Sequence, residues 1–405
     1  MELTEHRDLR GGRPSWVADE STTLASDTLP AGPVDIAVVG AGVMGAMIAH
    51  RLTAMGRRVL VVDRRPPAHG STAASTALVM WDADVPLTHL ARTIGMTEAA
   101  RRWRRVFSAV RDLGDRIAGE AIECGWVARP ELYLAGTLLD EAALEAEGAA
   151  RRDAGLPSSF ARGDAIADRF AIAPRAALVS DGSYEVDPVA LTLGLLRRAR
   201  AGGATIASPH DVTRIEHGDA SIRVVFSDGR TIAARHVILA PGYERATLFL
   251  PQAFTVGSSY AIATAPGTAP LWRENAMIWE ASSPYLYTRA TADGRVIAGG
   301  EDEDFADARQ RDALIGAKAG TISAKLGAMI AQRHVGVDCA WAASFGSSPD
   351  GLPAIGRVDG SANLWLASGF GGNGITFAAL AADIIAADFA GRPDADAGCF
   401  SPYRF

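Results

Sequence analysis

Gly40, Gly42, Gly45 and Asp63 have the residue types and the spacing that hold a dinucleotide. In Gly40-Ala41-Gly42-Val43-Met44-Gly45 the first glycine permits a tight turn. The second lets backbone approach a pyrophosphate, and the third lets a helix pack closely on the preceding strand. The pyrophosphate then meets unpaired N–H groups at the positive end of that helix. Asp63 follows Gly45 by 18 residues, where a carboxylate accepts ribose hydroxyls. A second set suited to chemistry is Tyr285, Tyr287 and Arg289, which alternate with Leu286 and Thr288. Alternation puts all three on one face of a strand, where two aromatics and a cation can box an amine and pair with an anionic group.

These residues need elements to position them. Residues 34–39 are apolar and β-branched, which predicts a strand buried on both faces. Met44, Met47, Ile48 and Leu52 give the next helix an apolar face, and residues 59–62 form a second strand. The whole is one βαβ unit. Further on, Asp187-Pro188 predicts a capped helix start, with its end near Gly202-Gly203. Residues 211–240 read as a three-stranded meander with a turn at Asp228-Gly229. A helical region is expected over 86–119, a strand from Trp126 to Leu134, an exposed helix over 138–153, and one helix near 308–331 within a strand-rich stretch from about 252 to 345. Residues 1–33 lack periodicity and read as a partly ordered leader.

Composition narrows the function classes. The chain has 405 residues, more than one core usually organises, so two domains are expected. Its 48% hydrophobic and 21% charged residues describe an ordinary globular protein, and a net charge of −7 offers no basic surface for nucleic acid. Cys124, Cys339 and Cys399 show neither disulfide nor metal spacing, which fits a reducing compartment. With no signal-peptide pattern and no apolar run long enough to span a membrane, a cytoplasmic protein is expected. Lys318 and Lys325 are its only lysines.

A βαβ unit alone does not choose between NAD and FAD. The segment Gly369-Phe370-Gly371-Gly372-Asn373-Gly374-Ile375-Thr376 is a second anion-binding turn at a helix start, about 330 residues after the first. A flavin uses such a helix end, because its ring gains negative charge at the pyrimidine edge on reduction. Glycine turns at 40–45, 240–242 and 369–374 imply a nucleotide domain assembled from separate pieces.

The fingerprint, the GSTAAST segment, the VILAPG strand and the closing SPDGLPAIG…GFGGNGITFA together resemble the D-amino-acid oxidase superfamily of FAD enzymes, in the branch of glycine oxidase, sarcosine oxidase and γ-glutamylputrescine oxidase. The resemblance implies an α/β fold: a discontinuous Rossmann-type FAD-binding domain (34–120, 183–245 and 346–405) and a mixed, mainly antiparallel β substrate domain (121–182 and 246–345), glycine-oxidase-like. It implies FAD held without a covalent bond, because Ala343 stands where sarcosine oxidases carry the attaching cysteine and Cys339 lies four residues earlier. Gly40, Gly42, Met44, Gly45, Asp63 and Arg64 would hold the ADP half, and Ser71, Thr72, Ser75 and Thr76 would run past the pyrophosphate toward the ring. Val212 would meet the adenine through its backbone, while Ala240 and Gly242 line the cofactor's path. Gly371, Gly372, Asn373, Gly374, Ile375 and Thr376 would meet the flavin's pyrimidine edge.

On the substrate side the resemblance implies that Tyr285, Tyr287 and Arg289 face the flavin, with Trp279 and Trp81 as further candidates. Phe345 replaces an arginine with which glycine oxidase helps hold its substrate's carboxylate, so a simple α-amino acid is disfavoured. The expected reaction is oxidation of a C–N bond of an amine or amino acid to an imine that water hydrolyses. Electrons then pass to O2 or another acceptor. Some relatives use a lysine above the flavin to promote reaction with oxygen. Here Lys318 and Lys325 lie away from every flavin motif, so either another group takes that role or the acceptor is not oxygen. A tailoring or hydroxy-acid oxidation on the same fold, or a non-catalytic flavin-binding subunit, stays open.

Overall fold

In the computed structural model, which describes residues 1–3, 5–16, 23–218, 221–331 and 335–405, two large sheets share the strands. The first is built around Val34–Val39, whose last four side chains are all buried. Val59–Val62 lies parallel to it on one side and Thr231–Leu239 parallel on the other. Thr205–Ala207 extends the first flank and Leu364–Ser368 the second, again in parallel. The strand order therefore reverses at Val34–Val39, and such a reversal leaves a crevice at the carboxyl ends of the strands.

Helices Val43–Ala54, Pro188–Ala201 and Gly374–Phe389 bury their apolar faces in one core on this sheet, together with Trp103 of helix Met96–Gly119. Asp187 caps the second of them as expected, accepting from the N–H groups of Val189 and Ala190. The meander strands Val212–His217 and Ile222–Phe226 continue from Thr231–Leu239 and cover the opposite face with a smaller core.

The second sheet is larger. Among the described residues it has ten strands, all antiparallel to their neighbours except Met277–Glu280 beside Val127–Leu134. Helix Ile315–Met329 covers one face, burying Ile322, Leu326 and Met329 against Tyr260, Ile262 and Ala342. The other face turns toward the crevice of the first sheet. Strands Leu78–Val79 and Ala177–Glu185 also enter this larger sheet, so the chain crosses between the two bodies repeatedly.

Four sequence expectations change in detail. The described part of 1–33 is a strap: Arg10–Gly12 pairs with Trp341–Ala343 of the larger sheet, and the N–H of Leu3 donates to Thr213 of the meander at 2.6 Å. An extended segment held through its backbone needs no side-chain period, which is why it carried no pattern. The region 86–119 divides into Leu87–Ile94 and Met96–Gly119 at Gly95, whose φ of 82° suits glycine. The region 308–331 likewise divides, into Ala308–Ala313 and Ile315–Met329. Helix Glu141–Asp153 is not wholly exposed, since Glu147 and Arg151 are fully buried and Arg151 pairs with both Glu147 and Asp82.

Candidate cofactor and substrate site

The three glycine turns meet where the first sheet ends. Gly40 follows Val39 with φ +119°, and a Cβ there would lie 2.1 Å from the carbonyl oxygen of Ala240. Only glycine lets these two strand ends close on each other. A Cβ on Gly45 would lie 1.9 Å from the Gly40 carbonyl, so the third fingerprint glycine serves helix-to-strand packing. The second and third turns are joined too: the Tyr243 hydroxyl donates to Gly369 at 2.7 Å, and the Ser368 hydroxyl to Gly242 at 3.0 Å.

A cavity of about 690 Å³ runs along these turns. That is the size class of ligand pockets. At one end lie Gly40, Gly42, Met44, Asp63 and Arg64, with Val212, Ala240 and Gly242 beside them. Asp63 is fixed by the N–H groups of Ala41 at 2.7 Å and Arg65 at 2.8 Å, and burial raises its carboxyl above the usual range. Arg64 and Arg65 both pair with Glu244, at 2.5 and 2.9 Å. Both also donate to the Arg7 carbonyl, so the strap crosses this end.

Ser71, Thr72, Ser75 and Thr76 line the middle. The Thr72 hydroxyl accepts from Val43 N–H at 3.0 Å, and a Cβ on Gly42 would come within 3.1 Å of the same oxygen. The Ser71 hydroxyl is buried without a hydrogen-bond partner. A bound polar group would satisfy it. An elongated cavity lined by bare backbone, a helix N-terminus and an orphaned hydroxyl fits the pyrophosphate of a dinucleotide.

Gly371, Gly372, Asn373, Gly374 and Ile375 line the far stretch. Asp84 accepts from Gly372 N–H at 2.8 Å and is open to the cavity, while the surrounding protein pushes its carboxyl up to about 6. Thr376 and Gly45 are the two expected cofactor residues that do not reach the cavity. The Thr376 hydroxyl instead donates to the Met80 carbonyl at 2.7 Å, and the Asn373 amide donates to that of Asp82. Both bonds anchor the third turn to the segment Met80–Asp84.

The larger sheet supplies the opposite wall through one cross-strand row. Tyr133 stands opposite Trp279, Trp279 opposite Tyr287, Tyr287 opposite Gly299, Gly299 opposite Ala261, and Ala261 opposite Trp341. Residues in register across neighbouring strands share a face, so the row is continuous. A Cβ on Gly299 would lie 2.3 Å from the Tyr287 hydroxyl, which shows that the Tyr287 ring lies over that glycine. Tyr285 and Phe345 also reach the cavity, as do Ala343 and the acidic residue Asp302. Asp302 accepts from the Tyr285 hydroxyl at 2.9 Å, and burial raises its carboxyl.

Arg289 does not join Tyr285 and Tyr287 at the cavity. It is 1% exposed, and its nitrogens donate to the carbonyls of Thr76 (2.7 Å), Ala290 (2.9 Å) and Val186 (2.7 Å). Strand alternation gave it the right face, but the flavin-loop segment lies over that part of the strand and takes its donors. Trp81 is likewise core, fully buried against Trp103 and Phe107. Trp279 does line the cavity, stacked on Tyr133 with ring centroids 3.9 Å apart. Cys339 opens strand Cys339–Ser347, is buried with Trp341 and Ala261, and is not among the lining residues. Asp84, Asp302 and Tyr133 escaped the sequence reading. Asp302 sits in the run Glu301-Asp302-Glu303-Asp304, which reads as a solvated turn, and Asp84 in a short polar loop.

Residues 35–387 match the family described as DAO, FAD dependent oxidoreductase. The structure is similar to that of L-proline dehydrogenase from P. horikoshii, with a TM-score of 0.76, 20% identity, and 93% of this chain and 98% of the other covered. Iminodiacetate oxidase from Chelativorans sp. BNC1 superposes with a TM-score of 0.73 and 24% identity, covering 91% and 98% of the two chains. A curated relative, the tRNA 5-methylaminomethyl-2-thiouridine biosynthesis bifunctional protein MnmC of Cupriavidus necator, is 27% identical over 94% of this chain, which spans 61% of that relative's length.

Proposed function

The chain belongs to the DAO family of FAD dependent oxidoreductases, and on that premise we propose that it oxidises a C–N bond of a small amine or amino compound. The observation that carries this reading is the aromatic row ending the cavity, with Tyr285, Phe345 and Asp302 beside it and Arg289 turned away. An aromatic enclosure receives an amine, whereas a simple α-amino acid needs a cation for its carboxylate, and none of the described lining residues supplies one at that end. Proline and iminodiacetate, named for the two similar structures, both carry a nitrogen beside a C–H carbon, which supports C–N oxidation. Both also carry carboxylates, so the preference for an amine rests on the cavity lining alone.

FAD, bound without a covalent link, supplies the two-electron acceptor. The protein's own part is positioning. Gly40, Gly42, Ser71 and Thr72 would hold the pyrophosphate, and the turn Gly371–Gly374 would hold the flavin end. Residues 34–120, 183–245 and 346–405 form the FAD-binding part, and 121–182 with 246–345 the substrate part. Tyr285 and Tyr287, with ring centroids 5.7 Å apart, orient the substrate so that its C–H bond points at the ring. Their hydroxyls stay protonated at neutral pH, because burial holds Tyr285 well above its ordinary range and pushes Tyr287 up to about 12. The substrate would give up a hydride from carbon and a proton from the neutral nitrogen, and the resulting imine takes up water to give a carbonyl compound and an amine or ammonia. The electrons then leave to O2 or to another small acceptor. Among the described residues no helix is long and apolar enough to cross a membrane; the proposed setting is the cytoplasm, with diffusible small-molecule partners.

The test is an anaerobic titration of the purified flavoprotein with amines, amino acids and hydroxy acids. Bleaching of the flavin band by amines is expected. Bleaching by hydroxy acids alone would replace this reading with the alcohol-oxidising one.

A further inference from the structure

One charged group at the aromatic end has no task in this chemistry. Asp302 gives one carboxylate oxygen to the Tyr285 hydroxyl at 2.9 Å. Its other oxygen is closed off from solvent and makes no hydrogen bond of normal geometry, although the Ser259 hydroxyl bears on the carboxylate. An orphaned oxygen on an ionisable group costs more than one on a neutral group, so the site calls for a donor. Lys318 bears on Asp302 but is already engaged by Glu303 at 2.5 Å and by Glu301 at 3.8 Å.

The surroundings select the sign of that donor. Tyr133 and Trp279 are stacked, and Tyr285 and Tyr287 lie next to them on the same wall. Such ring faces carry negative charge density and attract cations. Asp84 lies close enough for its carboxyl to be raised by the Asp302 charge. The cations lining the cavity, Arg64, Arg65 and Arg245, belong to its other end and are paired with Glu244 or Asp211. Negative potential and aromatic faces thus coincide at one end, where no cation is among the described lining residues and Lys318 stands behind the wall with Glu303 and Glu301.

We propose that the carboxylate of Asp302 binds a protonated nitrogen of the substrate other than the one oxidised, making the substrate a diamine or a larger polycationic amine. This rests on the amine reading above. An ammonium paired with a carboxylate keeps its proton and has no lone pair with which to expel a hydride from the adjacent carbon. The nitrogen on Asp302 is therefore the anchor, and a second, neutral nitrogen is the one that reacts.

The test uses the flavin-loaded protein, kept anaerobic, with α,ω-diamines of three to six carbons, 1-aminoalkanes of matching length, and glycine. Apparent Kd comes from perturbation of the flavin band and, separately, from the shift in Tm; bleaching reports oxidation. Diamines are expected to bind at least ~10-fold more tightly than matched monoamines, the scale of a buried charge pair. Asp302→Asn is expected to abolish that ratio and Asp302→Glu to restore part of it. A ratio near one in the wild-type protein, or one that survives Asp302→Asn, overturns the proposal. Should Asp302→Asn lose its flavin, the wild-type ratio decides alone. Diamines that bind through Asp302 without bleaching the flavin would sustain the charge assignment and sink amine oxidation. Equal bleaching by monoamines and diamines in both proteins would do the reverse.

Discussion

The Nε–H of Arg289 donates to the carbonyl oxygen of Thr76 at 2.7 Å, so a buried cation from the larger sheet holds the loop that borders the cavity. Glu185 lies 3.9 Å from the same guanidinium, which burial lowers to about 10. Arg289→Ala leaves three carbonyls without their donor and takes one of two nearby cations from Glu185, which keeps Arg129 at 2.9 Å, a loss of about 3–5 kcal/mol for a broken buried network. Tm and bound flavin are expected to fall together, while the remaining holoenzyme keeps the wild-type order of substrate preference. A selective rise in KM for anionic substrates, with Tm and flavin content intact, would return Arg289 to the substrate site.

The fingerprint glycines separate into two kinds of failure. A Cβ at Gly40 collides with backbone in a left-handed conformation, so Gly40→Ala is expected to give little folded protein. At Gly42 the contact is only with the Thr72 hydroxyl, and the open side faces the cavity. Gly42→Val should therefore fold, as read by circular dichroism, yet purify colourless. Full flavin absorbance in that variant would contradict the pyrophosphate assignment.

The contrast between these two predictions explains what the sequence made legible. Gly40, Gly42, Gly45 and Asp63 work within one local unit, so spacing alone conveys their geometry. The glycine loop at 369–374 was equally readable, because a strand, a turn and a helix start follow one another in the chain. Arg289 was misread because its partners come from Thr76 and Val186, more than 100 residues away. The same holds for Asp302 and Tyr133: their place in the wall depends on cross-strand register in the larger sheet, which no local pattern encodes. Thr376 followed the family motif but spends its hydroxyl on Met80.

Lys318 is one of only two lysines, and its ammonium stands 5.4 Å from the centre of the Tyr260 ring. Its pairing with Glu303 and Glu301 places it behind the cavity wall, and it is not among the lining residues. Lys318→Met is therefore expected to change the rate of flavin reoxidation in air-saturated buffer by less than about twofold, since a charge paired with two carboxylates contributes little field beyond them. Stopped-flow mixing of the reduced protein with oxygen measures this. A tenfold slowing would make Lys318 the group that stabilises superoxide.

Asp84 offers the clearest pH dependence. Confinement within the protein raises its carboxyl to about 6, against the pull of the Gly372 N–H. The folded protein then binds this proton more tightly than the unfolded chain, whose carboxylates titrate near pH 4. Because Asp84 is exposed to the open cavity, its contribution to stability is small; it is fullest below about pH 4 and is lost as pH rises through about 6. Ligand binding runs the other way. Above about 6 the group is ionised and adds negative charge beside Asp302, so apparent affinity for 1,4-diaminobutane should rise with pH through that region. The buried tyrosines titrate far higher, and His210, whose imidazole is pushed down by burial, lies beside Asp63 at the other end of the cavity. Asp302 is also raised, so the assignment comes from comparison. In Asp84→Asn the rise near 6 should disappear while the preference for diamines over monoamines persists. An unchanged pH profile in that variant would assign the step to Asp302 alone.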